Sequence, residues 1–495
     1  MTEDFDLVEA SIAGIHEAYL CRALSCRELV EGYLERIQAY DAAGPRLNCI
    51  ITVNPDVRAQ AAELDAALAT GDLAGPLHGI PIVVKDQIDV AGMPTTMGST
   101  LFADYVPGRD SSVVSRLKAA GALILAKTTL GELGAGDTHG SLFGSTRNPY
   151  RLEHTPGGSS GGSAVAVAAN LTTAALGQEG LASITRPSAW NSIVGMRPTA
   201  GLVSRAGAYS GWPNRASSIG PMARTVEDAA RLLDVIAGYD PDDPLTATGV
   251  GHLSGPTVGQ LCPKALDGAR VGVLRQSIGL GSEPDSEDFT RVSVVFDRAI
   301  ADLRAAGAIV VDPVEVPRLQ ELLDQRAFEH AEASFEAWMA RSEHPPYRSH
   351  AELAAQPAYQ DLVHRRSGGH LRRFGSSSHY AYLRARDELR INLLKVMADA
   401  RLDVLVLKSV EHTATPISEG TAPPFTDGKG AIHLATFLID VPSITVPAGA
   451  TPDGLPVGLS FLGRPFTDAA VLGYAYAYEQ HTRRRRPPEG FPPLR

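Results

Sequence analysis

The chain reads as an α/β protein, a central mixed and twisted β-sheet covered on both sides by α-helices. Three observations point there: helical patterns that stop at glycine and lead into short apolar runs, the brevity of those runs, and the Pro and Gly residues that bound them. Ser111 or Ser112 can cap a helix running through Lys118, Gly121 can end it, and 122–126 follows as a buried strand. The same order recurs where Asp285 to Ala306 reads as a helix, Gly307 as its stop and 308–311 as the next strand. Thr225 to Asp228 opens another helix, with Val226, Ala229, Leu232, Leu233 and Ile236 on one face and Gly238 at its end. The runs 403–407, 443–446 and 458–462 are further strands, which suggests a mixed sheet sandwiched by helices.

No change of composition along the 495 residues marks a domain boundary, and no internal repeat appears. The expectation is one domain, 1–495. Residues 1–60 read as an N-terminal helical layer, because Ser25 to Glu28 is a capping box and Leu29, Val30, Leu34 and Ile37 follow at helical spacing. The stretch 319–400 reads as a helical insertion over a substrate pocket. Tyr347, Tyr359, His364, His370, Phe374 and Tyr380 are its candidates for lining that pocket, although such rings more often serve packing.

A hydrophobic fraction of 44% and a charged fraction of 20% suit a globular protein, and no apolar run of about 20 residues offers a membrane span. The acidic N-terminus does not resemble a secretory signal, so a cytoplasmic location is expected. Four cysteines without a CxxC pair suit free thiols rather than disulfides or zinc. A formal charge of −11 disfavours nucleic acid as a partner. The run Arg483 to Arg486 is the local exception, and reads as a solvated tail. His16-Glu17 lacks a second histidine at position 20, and no phosphate-binding loop is present, so neither metal nor cofactor is expected.

The most informative segment is 155–169, a loop rich in glycine and serine that opens into a helix of small residues. A flexible linker would not lead into a buried helix, whereas glycines allow the backbone angles that catalytic loops use. Gly157 to Gly161 also satisfies G-x-S-x-G, which would make Ser159 the nucleophile of an α/β-hydrolase-type esterase. That elbow needs an apolar strand upstream, but 148–156 is polar and carries two prolines. Ser115 and Lys118 match S-x-x-K on a surface helix without its companion motifs.

Together with 79–89 and 177–187, this loop resembles three successive motifs of the amidase-signature family, in the family's order. Similarity extends through 121–128, 194–199, 220–225, 441–449 and 454–458, which covers most of the chain. The resemblance implies a Ser–cis-Ser–Lys triad made by Lys85, Ser159 and Ser183, with backbone N–H groups of Gly180, Leu181, Ala182 and Ser183 as the oxyanion hole. Ser160, Glu179 and Arg186 would support it, Glu179 pairing with Arg186. It further implies hydrolysis of an amide C–N bond through a seryl acyl-enzyme.

The chain departs from the family's usual pattern around the nucleophile: Leu181 and Ala182 replace two glycines, and Thr185 stands where arginine is usual. Phe437 and Leu438 replace a polar run, and on a pocket wall they would favour an apolar or aryl acyl group. The expected substrate is thus a small-molecule amide, with ester or carbamate (urethane) cleavage entertained beside it. A homodimer is the assembly entertained beside the monomer. The altered glycines motivate one rival, a scaffold or subunit that keeps the fold without the activity; transamidation of charged tRNA is disfavoured by the acidic charge.

Overall fold

Lys85 ends a strand, β2 (Pro81–Lys85), that lies inside a sheet of 11 strands. Strands β1 (Ile50–Val53) and β3 (Leu123–Thr128) flank β2 on one side, and β6 (Ala174–Glu179) on the other. The sheet continues through β8 (Ser218–Ala223), β7 (Val194–Arg197), β12 (Ser443–Ala450) and β13 (Pro456–Leu462) to β11 (Val404–Lys408), β9 (Arg270–Leu274) and β10 (Ile309–Val314). A separate two-stranded ribbon pairs β4 (His139–Gly140) with β5 (Gly144–Ser145). This computed structural model describes all residues except 1–4, 70, 72, 280, 328–331, 368–378, 424, 433–436 and 495.

The sheet is mixed, as expected. Parallel pairs join β2 to β3 and β6, and β9 to β10 and β11, while β6–β8, β8–β7, β7–β12 and β12–β13 are antiparallel. Every residue of β2, β3 and β6 is buried, the condition of parallel strands covered on both faces. The helix Gly161–Ala168 is buried throughout because its Gly, Ser, Ala and Val side chains let it lie close to the sheet. A Cβ on Gly162 would stand 2.4 Å from the Thr129 carbonyl oxygen, so this approach requires glycine.

Local signals set the covering helices. Ser111, Thr225 and Ser286 cap Ser112–Ala119, Val226–Ile236 and Glu287–Ala305 by accepting from Val114, Asp228 and Phe289 amides, each cap contributing about 1 kcal/mol. Gly121 turns into β3 at φ +86°, a left-handed conformation that disfavours side chains. Among the described residues no helix is long and apolar enough to cross a membrane.

Three expectations need correction. The first sixty residues are more than a helical layer, since β1 joins the sheet edge antiparallel to β3. Within 319–400, Tyr347 packs edge-on against Phe102 and Tyr359 against His350, while Tyr380 is exposed. His370 and Phe374, and the His364 side chain, lie outside the described residues. The arginine run is not a solvated tail: Arg484 pairs with Asp302, and Arg485 with Glu9 at the other end of the chain.

Candidate active site

Parallel pairing of β2 with β6 brings the sequence-distant motifs together. Ile82, Val83 and Val84 face Ala174, Ala175 and Leu176, so Lys85 emerges beside the end of β6, where its Nζ donates to the Gln178 carbonyl at 3.2 Å. Lys85 Nζ lies 2.7 Å from Ser159 Oγ, and Ser159 Oγ lies 2.9 Å from Ser183 Oγ. The Gly134 carbonyl oxygen is 2.8 Å from Ser159 Oγ. The Gly158–Ser159 peptide is cis. Burial is graded along this row: Lys85 is fully buried, Ser159 nearly so, and Ser183 half-buried, leaving the outermost hydroxyl open to a substrate.

Strand alternation isolates the lysine electrostatically. Lys85 and Asp86 are adjacent in sequence, but Asp86 turns away to meet Lys127 at 2.9 Å, both fully buried. Among the described residues no carboxylate lies within 4.0 Å of Lys85. Burial therefore dominates and pushes its pKa well below the usual lysine value, with the Glu179 charge opposing the shift. An amine that loses its proton readily beside a hydroxyl is a competent base.

The loop carrying Ser183 is held from below. Glu179 accepts from the Ile184 and Thr185 amides at 2.8 and 2.7 Å and from the Thr185 hydroxyl at 3.2 Å. The partner of Glu179 is Arg197, at 3.3 Å, and not Arg186. Arg186 instead pairs with Asp137 at 2.7 Å and donates to the Gly158 carbonyl at 3.2 Å, so it braces the loop bearing Ser159. Ser160 links the two loops, its amide donating to the Ser183 carbonyl at 3.1 Å. Among the described residues the amides of Gly180, Leu181, Ala182 and Ser183 find no acceptor within the chain. Replacing Glu179 by alanine strands the buried Arg197 guanidinium and frees the loop. The expected cost is about 3–5 kcal/mol in urea unfolding, and unchanged stability would contradict this role.

Phe437 and Leu438 do not line a pocket. They are 1% and 0% exposed, in a core cluster with Leu389 and Leu393, and Phe437 stands edge-on to Tyr382 at 5.4 Å. Leu438 contributes through its backbone, its carbonyl accepting from Arg197 at 2.8 Å. Leu181, two residues before Ser183, is half-buried and packs against the small cluster of Ala182 and Ala431. A cavity lined by Glu132, Asp137, His139, Leu362, Arg365 and Phe425 adjoins the loop that carries Gly134. The G-x-S-x-G reading fails structurally, because residues 146–158, immediately before Ser159, form no strand of the sheet. Among the described residues no His, Cys, Asp and Glu cluster suits a metal ion.

Sequence reasoning missed Gly134, Asp137, Arg197 and the Lys127–Asp86 pair. Lys127 and Arg197 lie inside the runs of family similarity, and their charge within apolar strands was the signal available.

Comparison with known proteins agrees in extent and kind. The family model described as Amidase matches residues 28–472. A glutamyl-tRNA(Gln) amidotransferase subunit from Symbiobacterium thermophilum is 36% identical over 96% of this chain and 97% of its own length. Native peptide amidase from Stenotrophomonas maltophilia superposes with a TM-score of 0.84 at 36% identity, covering 98% of this chain and 99% of that one. The corresponding amidotransferase subunit from Thermotoga maritima gives 0.73 at 28% identity, over 96% of each chain. The chain therefore belongs to the amidase-signature family, whose members act on carbon–nitrogen bonds.

Proposed function

We propose that this enzyme hydrolyses a small carboxamide with an apolar or aryl acyl group through a seryl acyl-enzyme, Ser183 attacking, Ser159 relaying and Lys85 acting as base. The observation that carries this reading is the unbroken row Lys85–Ser159–Ser183, with links of 2.7 and 2.9 Å. Neutral Lys85 accepts the Ser159 proton as Ser159 accepts that of Ser183, which frees the outer oxygen to attack the carbonyl carbon. The tetrahedral oxyanion then meets the unpaired amides of 180–183, where each aligned donor contributes about 2.7–4 kcal/mol to lowering the barrier. Reversal of the relay delivers the proton to the departing nitrogen. Water, activated by the same route, releases the acid.

Leu181 supports the apolar preference, since it puts an apolar side chain two residues before Ser183 where the family usually has glycine. Leu181→Gly lowers kcat/KM for an aryl amide relative to a small polar amide by about tenfold, read from paired steady-state assays; an unchanged ratio removes Leu181 from specificity. The similarity to peptide amidase favours a self-sufficient hydrolase. The 36% identity to an amidotransferase subunit favours a second reading, a glutaminase that works within a complex. Both are tested by assaying the purified chain on p-nitroanilides, aryl esters, aryl carbamates, peptide amides and glutamine. Turnover of aryl or peptide amides by the isolated chain is expected. Ammonia release from glutamine alone would move the assignment to the second reading.

A further inference from the structure

Arg483, Arg484 and Arg486 of the arginine run line a cleft of about 550 Å³ with Arg298 of the helix Glu287–Ala305 and the loop that follows β12. Two members of the run anchor it. Arg485 donates to the Glu9 carboxylate at 2.6 and 2.7 Å and to the Ser192 carbonyl at 2.6 Å, and Arg484 donates to Asp302 at 2.6 Å. Tyr150 donates to the Arg486 carbonyl at 2.5 Å, and the buried Pro488 stiffens the chain just beyond. The backbone of the run is thus fixed by contacts that do not use Arg483 or Arg486 side chains.

Those two, with Arg298, are exposed, and among the described residues none of the three has a carboxylate within 4.0 Å. Asp453 on the cleft wall is already shared by Arg151 and Arg291, at 3.5 and 3.6 Å, so Glu489 is the one acidic lining residue without such a partner among the described residues. A concentration of unpaired arginines on one held wall runs against a net charge of −11. Guanidinium forks match phosphate oxygens two at a time, and a fixed frame lowers the ordering cost of using several together.

We propose that this cleft is a binding site for an oligophosphate, a chain of two or three phosphates either free or carried on a nucleoside. Its volume exceeds one phosphate and is in the range of small-ligand pockets. The multiple charge matches three cationic side chains where a single carboxylate would engage only one.

Titration calorimetry of the full chain with sodium tripolyphosphate, ATP and sulfate at about 0.15 M salt tests this. Saturable binding of tripolyphosphate at one site per chain is expected, with sulfate much weaker. Arg298→Ala combined with Arg486→Ala weakens it by about tenfold or more. Arg298→Glu does the same, and Arg58→Ala at the exposed pair with Glu31 leaves it unchanged. Tighter binding of ATP than of tripolyphosphate identifies a nucleoside-borne ligand, and equal or weaker binding a free chain. Absence of saturable binding by both probes, or an affinity indifferent to the Arg298 and Arg486 changes, overturns the proposal.

Discussion

Replacing Ser183 by alanine is expected to lower kcat for amide hydrolysis by about 10⁵- to 10⁶-fold, the scale on which a serine nucleophile fails when it is removed. The fold survives the change. Ser183 is half-buried, its hydroxyl meets only Ser159 among the described residues, and its backbone bond to Ser160 does not depend on the side chain, so unfolding free energy shifts by no more than about 0.5 kcal/mol. Activity and urea unfolding measured on the same preparation separate the two effects. Retention of more than about 1% of the wild-type rate would place the attacking group elsewhere.

Lys85→Met is expected to cost about 10³- to 10⁴-fold on an anilide and distinctly less on a p-nitrophenyl ester, because an amine must be protonated to leave and a phenolate need not be. Equal losses on both would remove Lys85 from proton delivery. In the wild type, amide hydrolysis is expected to rise with pH as the lysine loses its proton, its pKa being held low by burial. Stability carries the same signature. Below the depressed folded pKa both states are protonated, and the folded protein bears the full cost of a buried ammonium. Between that value and the unfolded value of about 10.4 the unfolded chain binds more protons, so wild-type stability climbs with pH. Lys85→Met lacks this slope, and its advantage over wild type in urea is greatest at low pH and shrinks as pH rises.

How far the sequence could be read depends on whether a feature is local. Capped helices ending at Gly121 or Gly307 and the glycine loop 155–163 depend on neighbours within a few residues, and their positions were legible. The motifs placed Lys85, Ser159 and Ser183 as candidates; their convergence required the parallel register of β2 and β6, which no local pattern states. Glu179 was matched with Arg186 because the two are close in sequence. Its partner Arg197 reaches it from β7, across β8, so the pairing is a product of strand order. Arg485 looked solvated because Glu9 lies 476 residues away. Phe437 read as pocket lining because its aromatic character is equally suited to core, and the Tyr382 helix that covers it could not be placed from sequence.

In the proposed mechanism Ser183 alone carries the acyl group while Ser159 stays a relay. Its most direct test is to label the enzyme with a fluorophosphonate and locate the adduct by peptide mass spectrometry. One adduct is expected, on Ser183, absent from Ser183→Ala and slowed in Lys85→Met. An adduct on Ser159, or labelling of Ser183→Ala at the wild-type rate, would contradict it.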